Sequence, residues 1–198
     1  MIIIVLLSIT AGILIGHLAM PAEWVCALDK LSTIALCLLL TGIGIDLGCR
    51  KEVFQRLKDM GWRIALVPLL VAGGSIGGAW LAGVLIGLPA REATAIGAGF
   101  GWYSLSGVLI AKIYNVETGA LAFLTNVMRE LMSFILIPLL AAKMGRLAAI
   151  APGGATTMDT TLPLIARATD SDTAVIALVN GTALSALVPF LVPLLINL

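Results

Sequence analysis

The chain has 198 residues, a formal net charge of +1 and a mean hydropathy of +1.10, with 60% of its residues hydrophobic and 12% charged. Soluble domains carry about 45 to 50% apolar and about 25% charged residues, so this composition predicts a polytopic membrane protein. At about 20 residues for each crossing, we expect one transmembrane domain over residues 1–198 and no soluble catalytic module. The net charge says nothing about nucleic-acid binding, and we expect no nucleic-acid partner. The three cysteines are too widely spaced to hold a metal.

Five apolar stretches are typical of membrane-spanning helices. Residues 2–20 form the first, a second ends at about Leu47, and the others cover about 64–88, 119–142 and 173–197. The polar stretch after the second span contains five basic residues, which stay on the cytoplasmic side by the positive-inside rule. We therefore expect the N-terminus in the cytoplasm and the C-terminus outside.

The segment at residues 93–113 is apolar but cannot be a simple crossing helix. If the span at 64–88 runs outward and the span at 119–142 runs inward, this segment must begin and end on the same side. Glycines weaken a helix by about 1 kcal/mol each relative to alanine. Four of them interrupt the segment: Gly97, Gly99, Gly101 and Gly107.

A second apolar segment, residues 147–168, is broken in the same way. It lies between Arg146 and Arg167, so both of its ends are expected on the inner side, and it contains Pro152, Gly153, Gly154 and Pro163. Two interrupted segments in corresponding positions indicate a substrate site between inverted repeats of a transporter. The sequence thus predicts an all-α membrane protein of about five spans and two re-entrant or broken elements. The alternative is that one segment is an ordinary kinked helix.

An acidic residue, Glu130, lies near the middle of the span at 119–142. A carboxylate at that depth costs roughly 2.5 to 3.5 kcal/mol, so it indicates a function. Asn126 lies one turn earlier on the same face, and Arg129 points to an adjacent face. The alternative is a buried ion pair or a helix–helix hydrogen bond that only fixes packing.

A second acidic residue, Asp159, follows the hydroxyl-rich run that begins at Gly153 and Gly154. The hydroxyls of Thr156 and Thr157 are suited to bind a ligand, although a helix-capping role for Asp159 is the alternative. Further candidate ligands are Asp46 and Asn180. For Asp46, pairing with the nearby Arg50 and Lys51 is the simpler interpretation.

Motifs typical of enzymes are incomplete, so we expect a protein that is not an enzyme and has no cofactor. The glycines at 97, 99 and 101 do not continue into GxGxxG, because position 104 is serine. Neither Ser104 nor Ser106 completes G-x-S-x-G. Asp46 follows Ile45, which removes the GxGD pattern of intramembrane aspartyl proteases.

Three motifs carry a family resemblance: residues 99–107 read GFGWYSLSG, residues 129–131 read REL, and residues 154–159 read GATTMD. In these motifs the chain closely resembles the bacterial lysine exporter family LysO. The resemblance implies a multi-pass protein of the bacterial inner membrane that exports L-lysine and its analogues. It also implies essential intramembrane acids, which fall on Glu130 and Asp159 here.

Members of that family are usually longer, with about three additional spans of about 20 residues before the point where this chain begins. The resemblance therefore implies a split transporter. Either a small membrane partner subunit supplies the missing helices, or two copies of this chain form a homo-oligomer, or the function has diverged.

Lysine carries two ammonium groups and one carboxylate, so its site needs acids and an anion-binding group. We expect Glu130 and Asp159 to bind ammonium groups or protons in alternation, which favours proton antiport. Free backbone amides near Gly99 to Gly101 or near Gly153 to Gly154 would receive the carboxylate, with Ser104 nearby. Arg129 either neutralises Glu130 or binds the carboxylate. The alternative functions are exchange of another small cation, such as Na⁺/H⁺, and an accessory-subunit role.

Overall fold

The computed structural model describes residues 66–198 continuously, together with Ile64 and isolated positions between 11 and 45. The chain forms two compact units, Met1–Ile45 and Asp46–Leu198. The described positions of the first unit are helical. The first two predicted spans and Asp46 lie largely or wholly outside the described residues, and the single transmembrane domain over the whole chain stays a prediction.

The continuous part of the chain is entirely helical, which confirms the predicted all-α fold class. Short 3-10 turns occupy Ala148–Ile150 and Gly154–Met158. In chain order the α-helices are α1 (Leu66–Ile86), α2 (Ala90–Gly97), α3 (Tyr103–Ile113), α4 (Val116–Lys143), α5 (Leu162–Ala168) and α6 (Ser171–Ile196).

Among the described helices, α1, α4 and α6 are long and apolar enough to cross a membrane. Their bounds agree with the last three predicted spans to within a few residues. The sharp starts of α4 and α6 come from side-chain caps: Asn115 accepts from the Thr118 amide at 2.7 Å, and Asp170 from the Thr173 amide at 2.8 Å. Each cap satisfies one of the free amides of a first helical turn.

The first broken element is a hairpin of α2 and α3, called the first hairpin (residues 90–113). Its helices have 8 and 11 residues, about 12 and 16 Å, against about 30 Å of bilayer core. At its base, Glu92 accepts hydrogen bonds at 3.0 Å from the hydroxyls of Tyr114 and Thr118. The hairpin therefore begins and ends at the same end of α4.

The second broken element, called the second hairpin (residues 148–168), begins and ends at the other end of α4. Arg146 and Asp170 form an ion pair at its base. The Thr173 amide and Arg146 lower the pKa of Asp170 to about 2. Inside, Ile150 and Ile165 from its two limbs pack with Ile137 of α4.

The two hairpins thus flank α4 from opposite ends and meet at its middle. The Ala155 amide of the second hairpin donates a 2.8 Å hydrogen bond to the Phe100 carbonyl at the tip of the first. A long helix followed by a hairpin, repeated in the opposite direction, is the arrangement expected of inverted repeats.

Glycines permit close helix packing in places that differ from the sequence-based expectation. Gly107 does not interrupt a helix but lies inside α3, where it faces Gly119 of α4 across the helix contact. Gly73, Gly74, Gly77 and Gly78 of α1, whose spacing is typical of a tightly packed helix face, have no described atom from outside the helix within 4 Å of where a Cβ would lie. Glycines therefore permit close contacts between α3 and α4 and, at Gly83 and Gly97, between α1 and α2.

We predict that Gly119→Val destabilises the protein by about 1 to 3 kcal/mol through overpacking. A Cβ on Gly119 would lie 2.6 Å from the Ala111 Cβ and 2.7 Å from the Gly107 carbonyl oxygen, so α3 would have to move. Thermal unfolding of the purified protein in detergent measures the effect. Gly73→Ala is the matched control, and equal melting temperatures for both variants would contradict the packing described.

Candidate functional site

The tip of the first hairpin, residues 98–102, is held by the side chain of Asn126 in α4. Its Oδ1 accepts from the Gly101 amide at 2.6 Å, and its Nδ2 donates to the Ile96 carbonyl at 3.2 Å. Non-helical backbone at membrane depth must be satisfied by protein, because lipid offers no hydrogen bonds. Asn126 meets that requirement at the tip.

The amides expected to receive a carboxylate at this tip are already occupied. The Gly99 amide donates to Ile96 at 3.1 Å, the Phe100 amide to Gly97 at 3.3 Å, and the Gly101 amide to Asn126. The expectation of free amides from Gly99 to Gly101 is therefore wrong, because turn carbonyls and a side chain from α4 bind them. The assignment of these glycines to the site stays a prediction.

The contact between the two tips is built on unusual backbone. Phe100 is fully buried with φ of 50°, in the left-handed region that costs a non-glycine residue about 1 to 3 kcal/mol. Opposite it, Gly154 has φ of 59°, and a Cβ there would collide with the Phe100 carbonyl oxygen. Strain of this kind persists where surrounding structure imposes it, and it is concentrated at functional sites.

The tip of the second hairpin is held by α6. Thr157 donates to the Ala177 carbonyl at 2.7 Å, and the Asn180 Nδ2 donates to the Gly154 carbonyl at 3.1 Å. Thr156 donates to the Gly153 carbonyl at 2.8 Å. The Asn180 Oδ1 is buried without a hydrogen-bond partner. The hydroxyls of both threonines are thus engaged in holding the hairpin.

The two predicted acids lie near each other beside this tip contact. Glu130 is 2% exposed, and its Oε2 has no hydrogen-bond partner. Asp159 is exposed, and its Oδ1 accepts from the Thr160 amide at 2.5 Å. The carboxyls are close enough to interact electrostatically, and the Thr160 side chain interacts with both. The structure therefore brings the acids of α4 and of the second hairpin together.

Arg129 lies on another face of α4 and forms no ion pair with Glu130. Its guanidinium donates to the Pro152 carbonyl at 3.0 Å, to the Ala151 carbonyl at 3.2 Å and to the Ser75 hydroxyl at 2.5 Å. Ser75 in turn donates to the Gly97 carbonyl at 2.7 Å. Arg129 therefore links α4, α1 and both hairpins through neutral groups.

Three residues near these groups were missed by sequence reasoning. Tyr103 begins α3 and interacts electrostatically with both Glu130 and Asp159. Ser75 and Thr160 complete the contacts of Arg129 and of the acids. Tyr103 lies within the GFGWYSLSG string, which was its one available signal. Ser104, which was predicted, is exposed beside it.

No group of His, Cys, Asp and Glu within the described residues is arranged to hold a metal ion. What the described side chains offer is a pair of carboxyls, a guanidinium and several hydroxyl and amide groups around a helix break. Such groups bind and release a charged or polar solute without covalent chemistry. Their assignment to a binding site stays a prediction.

A family model described as lysine exporter LysO matches residues 6–196. The chain belongs to the lysine exporter LysO family. It is 36% identical over 161 residues to the Escherichia coli K12 protein named "Lysine exporter LysO". It is 30% identical over 188 residues to a Haemophilus influenzae protein named "Putative lysine exporter". No solved structure gives a significant match.

The two LysO relatives differ in how much of them this chain covers. The match takes in 81% of this chain but 53% of the E. coli protein, so the chain spans about half the length of that relative. It takes in 93% of this chain and 92% of the H. influenzae protein. Family membership and the long apolar helices together show that the present chain is a multi-pass membrane protein. The family name describes a transporter and not an enzyme.

We predict that Gly154→Ala separates the hairpin tips and destabilises the protein more than Gly145→Ala does. Both glycines have positive φ, but a Cβ at Gly145 would meet nothing within 4 Å, whereas one at Gly154 would collide with the Phe100 carbonyl. The Gly145→Ala control therefore measures only the cost of placing an alanine at positive φ, about 1 to 2 kcal/mol. Thermal unfolding of the two variants compares them, and an equal loss would argue against the tip contact.

Proposed function

We propose that this chain exports L-lysine and lysine analogues across the bacterial inner membrane by proton antiport. The observation that supports it most is the buried Glu130, with an unpaired oxygen, beside Asp159 at the meeting point of two broken hairpins. The names of the two relatives support lysine as the substrate. In this proposal, the inner membrane holds the protein with its N-terminus in the cytoplasm and its C-terminus outside.

The acids are proposed to bind the ammonium groups of lysine. A carboxylate away from water needs a counter-charge or several hydrogen bonds, and the Glu130 Oε2 has no hydrogen-bond partner. A substrate ammonium supplies both a positive charge and three donors. Asp159, which is exposed, is suited to make the first contact before Glu130 is reached.

Proton coupling follows from the same requirement for a counter-charge. A proton and a substrate cation neutralise the same carboxyl, so the binding of one displaces the other. If the carboxyls carry protons after lysine has left, each cycle moves protons opposite to lysine. That exchange is antiport. The remaining candidates, Asn126, Thr156, Thr157, Gly153 and Gly154, hold the tips around the acids in this proposal.

We predict that Glu130→Gln and Asp159→Asn each reduce lysine efflux at least tenfold while the protein still folds. The amides keep the shape of the side chains but cannot exchange a proton for a substrate cation. Efflux of labelled lysine from proteoliposomes with an imposed pH gradient measures the loss, and thermal unfolding checks the fold. Glu117→Gln, an exposed position on the same helix, is the matched control.

Normal efflux in both variants would contradict the proposed role of the acids. Wild-type protein that exchanges Na⁺ for protons but does not move lysine would favour the alternative function. The two outcomes are separable, because the first concerns the residues and the second concerns the substrate.

We further propose that a small membrane subunit completes the transporter. Support comes from α1, an apolar helix of which only 11% of the most hydrophobic 18-residue stretch is buried within the structure. We predict that mild solubilisation from the native membrane recovers a second, smaller chain bound to this one. Recovery of the chain alone as a monomer would contradict this, and recovery as a homo-oligomer would replace the partner with a second copy.

A further inference from the structure

We propose that Arg129, held in place by the Ser75 hydroxyl, forms the subsite for the α-carboxylate of the transported amino acid, on a different face of α4 from the acids. This inference rests on the proposed export of lysine. It assigns the carboxylate to a side chain of α4, in place of the hairpin amides that the structure finds occupied at Gly99 to Gly101.

The guanidinium of Arg129 has donors left to bind an anion. Arginine has five N–H groups, and three of them serve the Pro152, Ala151 and Ser75 oxygens, one through each nitrogen. Two N–H groups, one on each terminal nitrogen, thus remain. A carboxylate that accepts from these N–H groups forms a charge-assisted interaction, which is stronger than one between neutral groups.

A cavity of about 1020 Å³ lies next to this guanidinium. Its walls come mainly from α1 and α4, with α2 and the start of the second hairpin closing it. Its polar wall includes Ser75, Thr125 and Asn126, and Arg129 is the one charged residue among its described lining residues. Ligand sites are typically apolar cavities of about 300 to 1,000 Å³ in which a few polar groups fix the orientation.

The charge of Arg129 is otherwise without a counter-ion in the described part of the chain. The residue lies halfway along a helix long enough to span the membrane, and its hydrogen-bond partners there are two carbonyls and a hydroxyl. A cation at that depth is costly unless it is paired. A substrate carboxylate supplies the pairing during transport, as the ammonium groups do for the acids.

The position of the subsite matches the shape of a cationic amino acid. Arg129 and Glu130 are consecutive, so their side chains leave α4 about 100° apart at the same depth. A substrate that bound both residues would place its carboxylate and its ammonium groups on neighbouring faces of α4. The subsite would recognise the carboxylate of the amino acid and not its side chain.

A purely structural role is the competing explanation, because Arg129 already ties the second hairpin to α1. The two roles differ in their dependence on the substrate. A structural residue affects every ligand equally, whereas a carboxylate subsite matters only for ligands that have a carboxylate. Comparing lysine with 1,5-diaminopentane, which lacks that group and keeps two ammonium groups, separates them.

The experiment measures thermal stabilisation of the purified protein by each compound over a concentration series, for wild type, Arg129→Gln and Arg129→Lys. In wild type we expect lysine to act at a concentration about 10- to 100-fold lower than the diamine, the range expected for a charge-assisted hydrogen bond. Arg129→Gln should remove that advantage. Arg129→Lys should retain part of that advantage, since a lysine keeps the positive charge but lacks the planar arrangement of donors that a guanidinium has. Arg146→Gln, at an exposed arginine, is the control.

Two results would overturn the inference. The first is equal potency of lysine and the diamine in wild type, which needs no variant and so does not depend on whether Arg129→Gln folds. The second is that the Arg129 variants lose thermal stabilisation by lysine and by the diamine to the same extent. If wild type binds the diamine and other dications but not lysine, the proposed export of lysine itself fails, and this outcome is distinct from the other two.

Discussion

The structure depends on one constraint: the polar backbone groups of the two hairpin tips need hydrogen-bond partners from the protein. Both tips are unwound and lie beside the middle of α4. In water such groups would be hydrated, but in hydrocarbon an unpaired amide or carbonyl costs several kcal/mol. The side chains of Asn126 and Asn180 reach into the two tips from α4 and α6 and bind them. The polar residues of these long helices are therefore a consequence of the broken hairpins.

The same constraint couples the hairpins to each other. The Phe100 carbonyl finds its partner in the Ala155 amide of the opposite hairpin, and Arg129 binds the Ala151 and Pro152 carbonyls. Neither hairpin is able to move away without leaving these groups unpaired or exchanging them for others. A concerted shift that exchanges one set of hydrogen bonds for another is the form that alternating access would take here.

Local signals in the sequence predict the fold well, and contacts between distant segments explain what they miss. Glycine and proline located the two breaks only together with the expected sides of the flanking spans, because α1 contains several glycines and α6 contains Pro189 and Pro193 without a break. Asn126 and Glu130 share a face by helical spacing, and both are indeed buried. The occupied amides at Gly99 and Gly101 could not be foreseen, because the acceptor for one of them comes from 25 positions along the chain. For the same reason, the partners of Arg129 depend on how the second hairpin folds back.

The order Arg129, Glu130 has a physical meaning that neither residue has alone. Had the two side chains paired, each would have neutralised the other, and the helix would have gained a buried ion pair with little affinity for a substrate. Consecutive residues on a helix point about 100° apart, and here the contacts with the hairpins keep the two side chains on different faces of α4. Carbonyls of the second hairpin and a hydroxyl of α1 hold the cation, while Glu130 faces Asp159 on its other side. In the proposed exporter, the two charges thus remain available at one depth of the membrane, in an arrangement complementary to a solute that itself carries separated charges of both signs.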